Sequence, residues 1–137
     1  MTFLTLAAVV VALQAGWTWT LYDGAGPVVL ANEIPDSPRL RAVLECTPGS
    51  GVTRVDLFGP NAGPGMATIV SGTASATGQS DARGPQRSIA LRTDHPVFGQ
   101  FVLTGALDVA VAGRHQTVSV EPGHLAKLRR FAELCSG

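Results

Sequence analysis

The chain has 137 residues, ten basic and ten acidic, and formal net charge zero. With only 15% charged residues and no basic excess, nonspecific nucleic-acid binding is not expected, because phosphates need neutralising cations. Sixteen glycines and nine prolines against 6% aromatics describe one domain of many short segments punctuated by turns.

The chain opens on an uncharged apolar run, Phe3 to Leu13, followed by the small and weakly polar Gln14-Ala15-Gly16. That is the length of a signal-peptide hydrophobic region, with cleavage expected after Ala15. No Lys or Arg precedes it, and Leu13 stands where a small residue is preferred, so the rival is an uncleaved anchor with Trp17, Trp19 and Tyr22 as its aromatic belt. The strongly apolar part is too short for about 30 Å of hydrocarbon, which favours the signal peptide over residues 1–15. Residues 16–137 then form a single β-rich domain.

Strands follow from two-residue alternation. Trp17 to Leu21 alternates, Asp23 to Pro27 turns, and Val28 to Leu30 is a short second strand. Asn32 to Pro38 is a loop with two prolines. In Arg39 to Cys46 the residues Leu40, Ala42, Leu44 and Cys46 share one face, and Val52 to Phe58 returns as a hairpin partner with Val55 and Leu57 inward. Gly59 to Gly65 is irregular, Met66 to Ser71 a strand, and Gly72 to Pro85 a loop or weak edge strand of small polar residues. Gln86 to Leu91 is strand-like. Thr93-Asp94-His95-Pro96 starts a short helix near 95–103, since a capping side chain precedes a proline whose missing N–H costs nothing.

The C-terminal stretch organises the rest. Leu107, Val109 and Val111, then Val118 and Val120, form a hairpin about the Gly113-Arg114 turn. After Pro122 and Gly123 the period changes, and Leu125, Leu128, Phe131, Ala132 and Cys135 share one face of a helix at 123–135. The expected architecture is mainly β: an antiparallel sandwich or twisted sheet of about seven or eight strands with the C-terminal helix packed across it.

Cys46 and Cys135 are the two cysteines, each on an apolar face, and in an exported chain they are expected to be bonded. Two free thiols in a cytosolic protein is the alternative. No Cys-x-x-Cys or second pair suggests zinc, and no phosphate-binding loop, dinucleotide fingerprint, Gly-x-Ser-x-Gly or His-Glu-x-x-His occurs. No catalytic residue, metal ligand or cofactor is assigned. His95, His115 and His124 stand at three separate junctions, and Asp94 with His95 would need an unidentified serine for acyl transfer. Arg39 and Arg41 face away from the core, and Arg87 is expected to join them on the same outer face from a neighbouring strand.

A leader, a strand ending in Leu44-Glu45-Cys46, a β-rich middle and a final Leu128-x-x-Phe131-x-x-Leu134-Cys135 helix resemble small exported envelope proteins of Gram-negative bacteria. They are similar to the type VI secretion-associated VasI-like proteins and the invasion-associated locus B family, over residues 39–58 and 105–135. The resemblance implies an exported β-fold with an accessory or binding role and carries over no active site.

The expected function is therefore a non-enzymatic periplasmic or secreted protein that binds another envelope protein or polymer. The alternatives are a membrane-anchored subunit, if residues 1–15 are retained, and a small hydrolase using Asp94 and His95. Binding is expected on the two long small-residue stretches, Gly59–Gly65 and Thr73–Pro85, with Gln79, Asp81, Arg83, Arg87 and Arg92 as its polar groups.

Overall fold

The computed structural model describes residues 16–60 and 63–137; the leader expected at 1–15 lies outside the described residues. Among these residues nine strands form one curled antiparallel sheet: β1 (Thr18–Tyr22), β2 (Val28–Glu33), β3 (Leu40–Cys46), β4 (Val52–Phe58), β5 (Gly65–Ser71), β6 (Ala74–Arg83), β7 (Gln86–Arg92), β8 (Ala106–Val111) and β9 (Arg114–Ser119). Helix α1 (Pro96–Thr104) joins β7 to β8, and α2 (Leu125–Cys135) closes the chain. The spatial order is β1-β2-β3-β4-β7-β6-β5-β8-β9. The mainly β architecture and both helices are thus as the alternation and the change of period predict.

One strand departs from expectation. Residues 72–85, read as a loop or weak edge, hold the ten-residue β6 in the middle of the sheet. Ala74 to Ser80 pairs with β5, and Asp81 to Arg83 pairs with β7, so β6 is the joint between the two halves of the sheet. Its inward positions are Ala74, Ala76, Gly78, Ser80 and Ala82. Small side chains suit this place because α1 packs onto β5 and β6, and large ones would hold the helix off.

Inward positions elsewhere fill one core. Trp19, Leu30, Leu44, Val55, Ile89, Ile69, Val109 and Leu107 meet Phe98 and Phe101 of α1 and Leu128 and Phe131 of α2. The curl brings edge strand β1 back to edge strand β9 without a ladder between them. Trp19 bridges the seam: its Nε1 donates to the Ser119 carbonyl at 3.0 Å, and Lys127 Nζ donates to the Trp19 carbonyl at 2.6 Å.

The α1–β8 junction depends on Gly105. It sits at φ +76°, its N–H donates to the Phe101 carbonyl, and its carbonyl accepts from Val120 N at 2.7 Å. A Cβ there would lie 2.2 Å from the Val120 carbonyl oxygen, so no other residue fits. In the β8–β9 hairpin the two-residue turn is Ala112-Gly113, both at positive φ, one residue earlier than the spacing suggested.

Cys46 and Cys135 are bonded, with Cα atoms 5.8 Å apart, closing a separation of 89 residues. The bond is seated by the turn after β3. Gly49 N and Gly51 N donate to the Leu134 and Cys135 carbonyls at 2.9 and 2.8 Å. These are two of the carbonyls that a helix leaves unsatisfied at its C-terminus, so the turn caps α2 while the disulfide ties it. Disulfides persist in oxidising compartments. Among the described residues no helix is long and apolar enough to cross a membrane.

Candidate functional site

Outward positions of β4, β7 and β6 carry the densest polar chemistry. Because Thr53, Val55 and Leu57 face the core, Arg54 and Asp56 must face out. Register sets Asp56 opposite Ser88, and Ser88 opposite Asp81. Arg54 is ion-paired to Glu45 and holds Asp56 at 3.2 Å. Ser88 Oγ donates to Asp56 Oδ1 at 2.5 Å, and Gln86 Nε2 donates to Ser88 Oγ at 3.3 Å. Beside this network, Arg54, Pro64, Asp81, Ala82, Arg83, Gln86 and Ser88 line a groove of about 590 Å³. It presents both charge signs and neutral hydrogen-bonding groups on a rigid sheet, which suits a polar segment of another macromolecule.

The neighbouring outer surface is built around Trp17. Arg41 stacks over its ring at 4.1 Å and Arg39 lies at 5.8 Å, so the two arginines of β3's approach do share an outer face, as predicted. Pro38, Leu40, Phe58, Gly59 and Pro85 complete a shallow depression of about 410 Å³ there.

The five residues expected to form one polar rim are not together. Asp81 and Arg83 line the groove, and Gln79 is exposed on the outer face of β6, its amide donating to the Ser80 carbonyl. Arg92 lies at the far end of β7 and grips Asp94 with two hydrogen bonds of 2.8 Å. Arg87 is on the opposite face altogether. It pairs across from Leu57 and Ala82, both inward positions, and is fully buried, which corrects the expectation that it joins Arg39 and Arg41. The alternation of Ile89 and Leu91 already implied this, since period two carries their face to residue 87.

His95 caps α1: its Nδ1 accepts from Val97 N at 3.1 Å. The Arg92 hydrogen bonds hold the Asp94 carboxyl below its ordinary range and hold the Arg92 guanidinium above its own. His95 and Ser75 do line one groove of about 490 Å³. Yet the nitrogen an acyl-transfer triad would turn toward a carboxylate is committed here to the helix backbone. His115 Nδ1 is 2.8 Å from Asp108, a separate surface pair. Among the described residues no three His, Cys, Asp or Glu side chains come close enough to hold a metal ion. Glu45, Arg54, Asp56, Gln86 and Ser88 were not singled out from the sequence; the signal available was the alternation in Val52–Phe58, which fixes Arg54 and Asp56 outward.

Comparison of the chain with known protein families, with curated proteins and with solved structures returns no match.

Proposed function

We propose that this chain is an exported, non-enzymatic binding or accessory protein of the bacterial periplasm or cell surface, which holds an envelope protein or polymer in the outer groove. The observation that carries the reading is the mixed-charge groove of Arg54, Asp81, Arg83, Gln86 and Ser88 on a covalently tied sheet. A disulfide closing 89 residues keeps such a scaffold rigid outside the cytoplasm, where a small recognition surface benefits from preorganisation. The resemblance to exported envelope proteins in the Leu44-Glu45-Cys46 strand and the C-terminal helix points the same way. Whether residues 1–15 are removed decides between a free and an anchored form, and mass spectrometry of the protein recovered from its native envelope reads this directly.

The reading is tested by charge reversal in the groove, because β6 is a central strand and deleting it would unfold the sheet. A Cys46–Cys135-bonded chain carrying Asp81→Arg and Arg83→Glu is compared with the unaltered protein for crosslinked capture of its envelope partner. Both positions are exposed, so the fold is expected to persist. Capture is expected to fall at least about tenfold, the size of one or two lost charge contacts. Undiminished capture would move the interface elsewhere.

A further inference from the structure

Among the described residues, the inner face of the sheet holds charge that nothing on that face answers. Register and burial assign its inward positions strand by strand, and among them stand no Asp and no Glu but two arginines, Arg87 on β7 and Arg114 on β9. Both lie at the end of the sheet away from the helices. Arg87 follows the β6–β7 turn, whereas Arg92 at the other end of the strand pairs beside Val52, next to the α2-capping turn. Arg114 follows the β8–β9 turn and stands opposite Val111, at the end of β8 away from α1.

Arg87 is fully buried, and its Nε, Nη1 and Nη2 have no hydrogen-bond partner among the described residues. Burial, and then the charge of Arg114, both push its pKa down. Asn32 Oδ1, Ser80 Oγ and Gln116 Oε1, inward groups of β2, β6 and β9, are likewise buried and unpartnered. Buried polar groups in folded proteins are almost always paired, and a buried charge is the least tolerable exception. Unmet polar groups on four strands thus lie on this inner face, and the two charges among them are both positive, with Arg114 exposed at the rim as the way in. Water would satisfy the hydrogen bonds but not the charge.

We propose that this end of the curled sheet is a binding site for an oxyanion, a carboxylate or phosphate group. Arg87 takes it through the planar fork of Nε and an Nη, the geometry in which guanidinium binds both groups. Ser80 Oγ donates a further hydrogen bond, Arg114 closes from the rim, and the amides of Asn32 and Gln116 present NH2 to the ligand after a half-turn about their terminal bond. The site is on the opposite face from the outer groove, so its failure would leave the binding reading of that groove untouched.

Isothermal titration in Tris-chloride buffer of low ionic strength tests this, with inorganic phosphate as one probe and succinate as the other. Saturable one-to-one binding of at least one probe is expected, phosphate marking a phosphoryl ligand and succinate a carboxylate. Arg87→Met keeps the volume of the side chain without its charge and is expected to weaken binding at least about tenfold. Arg114→Gln, at an exposed position where folding is not at stake, is expected to weaken it about threefold. No saturable binding of either probe would overturn the proposal. So would Arg87→Met binding as the unaltered protein does, or, if that variant does not fold, undiminished binding by Arg114→Gln.

Discussion

The two ends of the sheet are made from the same alternating strands and are built in opposite ways. At one end α1 and α2 cover the inner face, Phe101, Leu128 and Phe131 are fully buried, and a disulfide and two backbone hydrogen bonds from the β3–β4 turn tie the helix down. At the other the inner face ends in Arg87, Arg114, Ser80 and Gln116, with buried atoms that nothing among the described residues satisfies. The comparison teaches that alternation reports which way a residue points and says little about what waits there. Stability is concentrated where apolar area and covalent closure coincide, and unspent polar chemistry where they do not.

Breaking the helix-covered end should cost most. Replacing Cys46 and Cys135 by alanine is expected to lower unfolding free energy by about 4 kcal/mol, the loop-closure value for a ring of this size. Chemical denaturation measures it, and amide exchange should show α2 loosening before the strands, since a terminal element frays first. Leu128→Ala, which opens a cavity under α2 at a residue with no exposed surface, is expected to cost about 3 kcal/mol. A cost below about 1 kcal/mol would mean that α2 is not part of the core.

Smaller effects sharpen the boundary between the ends. Trp19→Phe keeps the ring packed but removes the Nε1 hydrogen bond across the β1–β9 seam; about 1 kcal/mol is expected, with faster exchange of β9 amides as the readout. The smallest effect concerns Asp94, an exposed carboxylate at the start of α1. The hydrogen bonds from Arg92 lower its pKa in the folded state, so its contribution is present above the unfolded value and is lost as pH falls through the folded one. Asp94→Asn should therefore lower stability slightly at neutral pH and, by the same amount, flatten the loss of stability as pH falls below about 4. An acid limb identical to that of the unaltered protein would show that the pair contributes nothing.

Much of this was legible in the residues. The helix face of Leu128, Phe131 and Cys135, the strand face of Leu44 and Cys46, and the single possible cysteine pairing together led to α2 and its tie. The ten-residue β6 was not legible, because Ala74, Ala76 and Gly78 are small where α1, later in the chain, packs onto the strand. Without large apolar residues the period-two signal has little amplitude. Arg87 is the reverse case: its charge predicts solvent, although Ile89 and Leu91 on the same face point inward. The outer groove needed the register of β4, β7 and β6, which brings Arg54, Asp81 and Ser88 together from separated segments.

The division between a stabilising end and a chemical end is tested most directly by the equilibrium stability of Arg87→Met in buffer free of phosphate and carboxylates. An unpaired buried guanidinium contributes charge without compensation, so an apolar side chain of similar volume should leave stability unchanged or raise it by about 1–2 kcal/mol. A loss of about 3 kcal/mol or more, the signature of breaking a satisfied buried ion pair, would contradict the account.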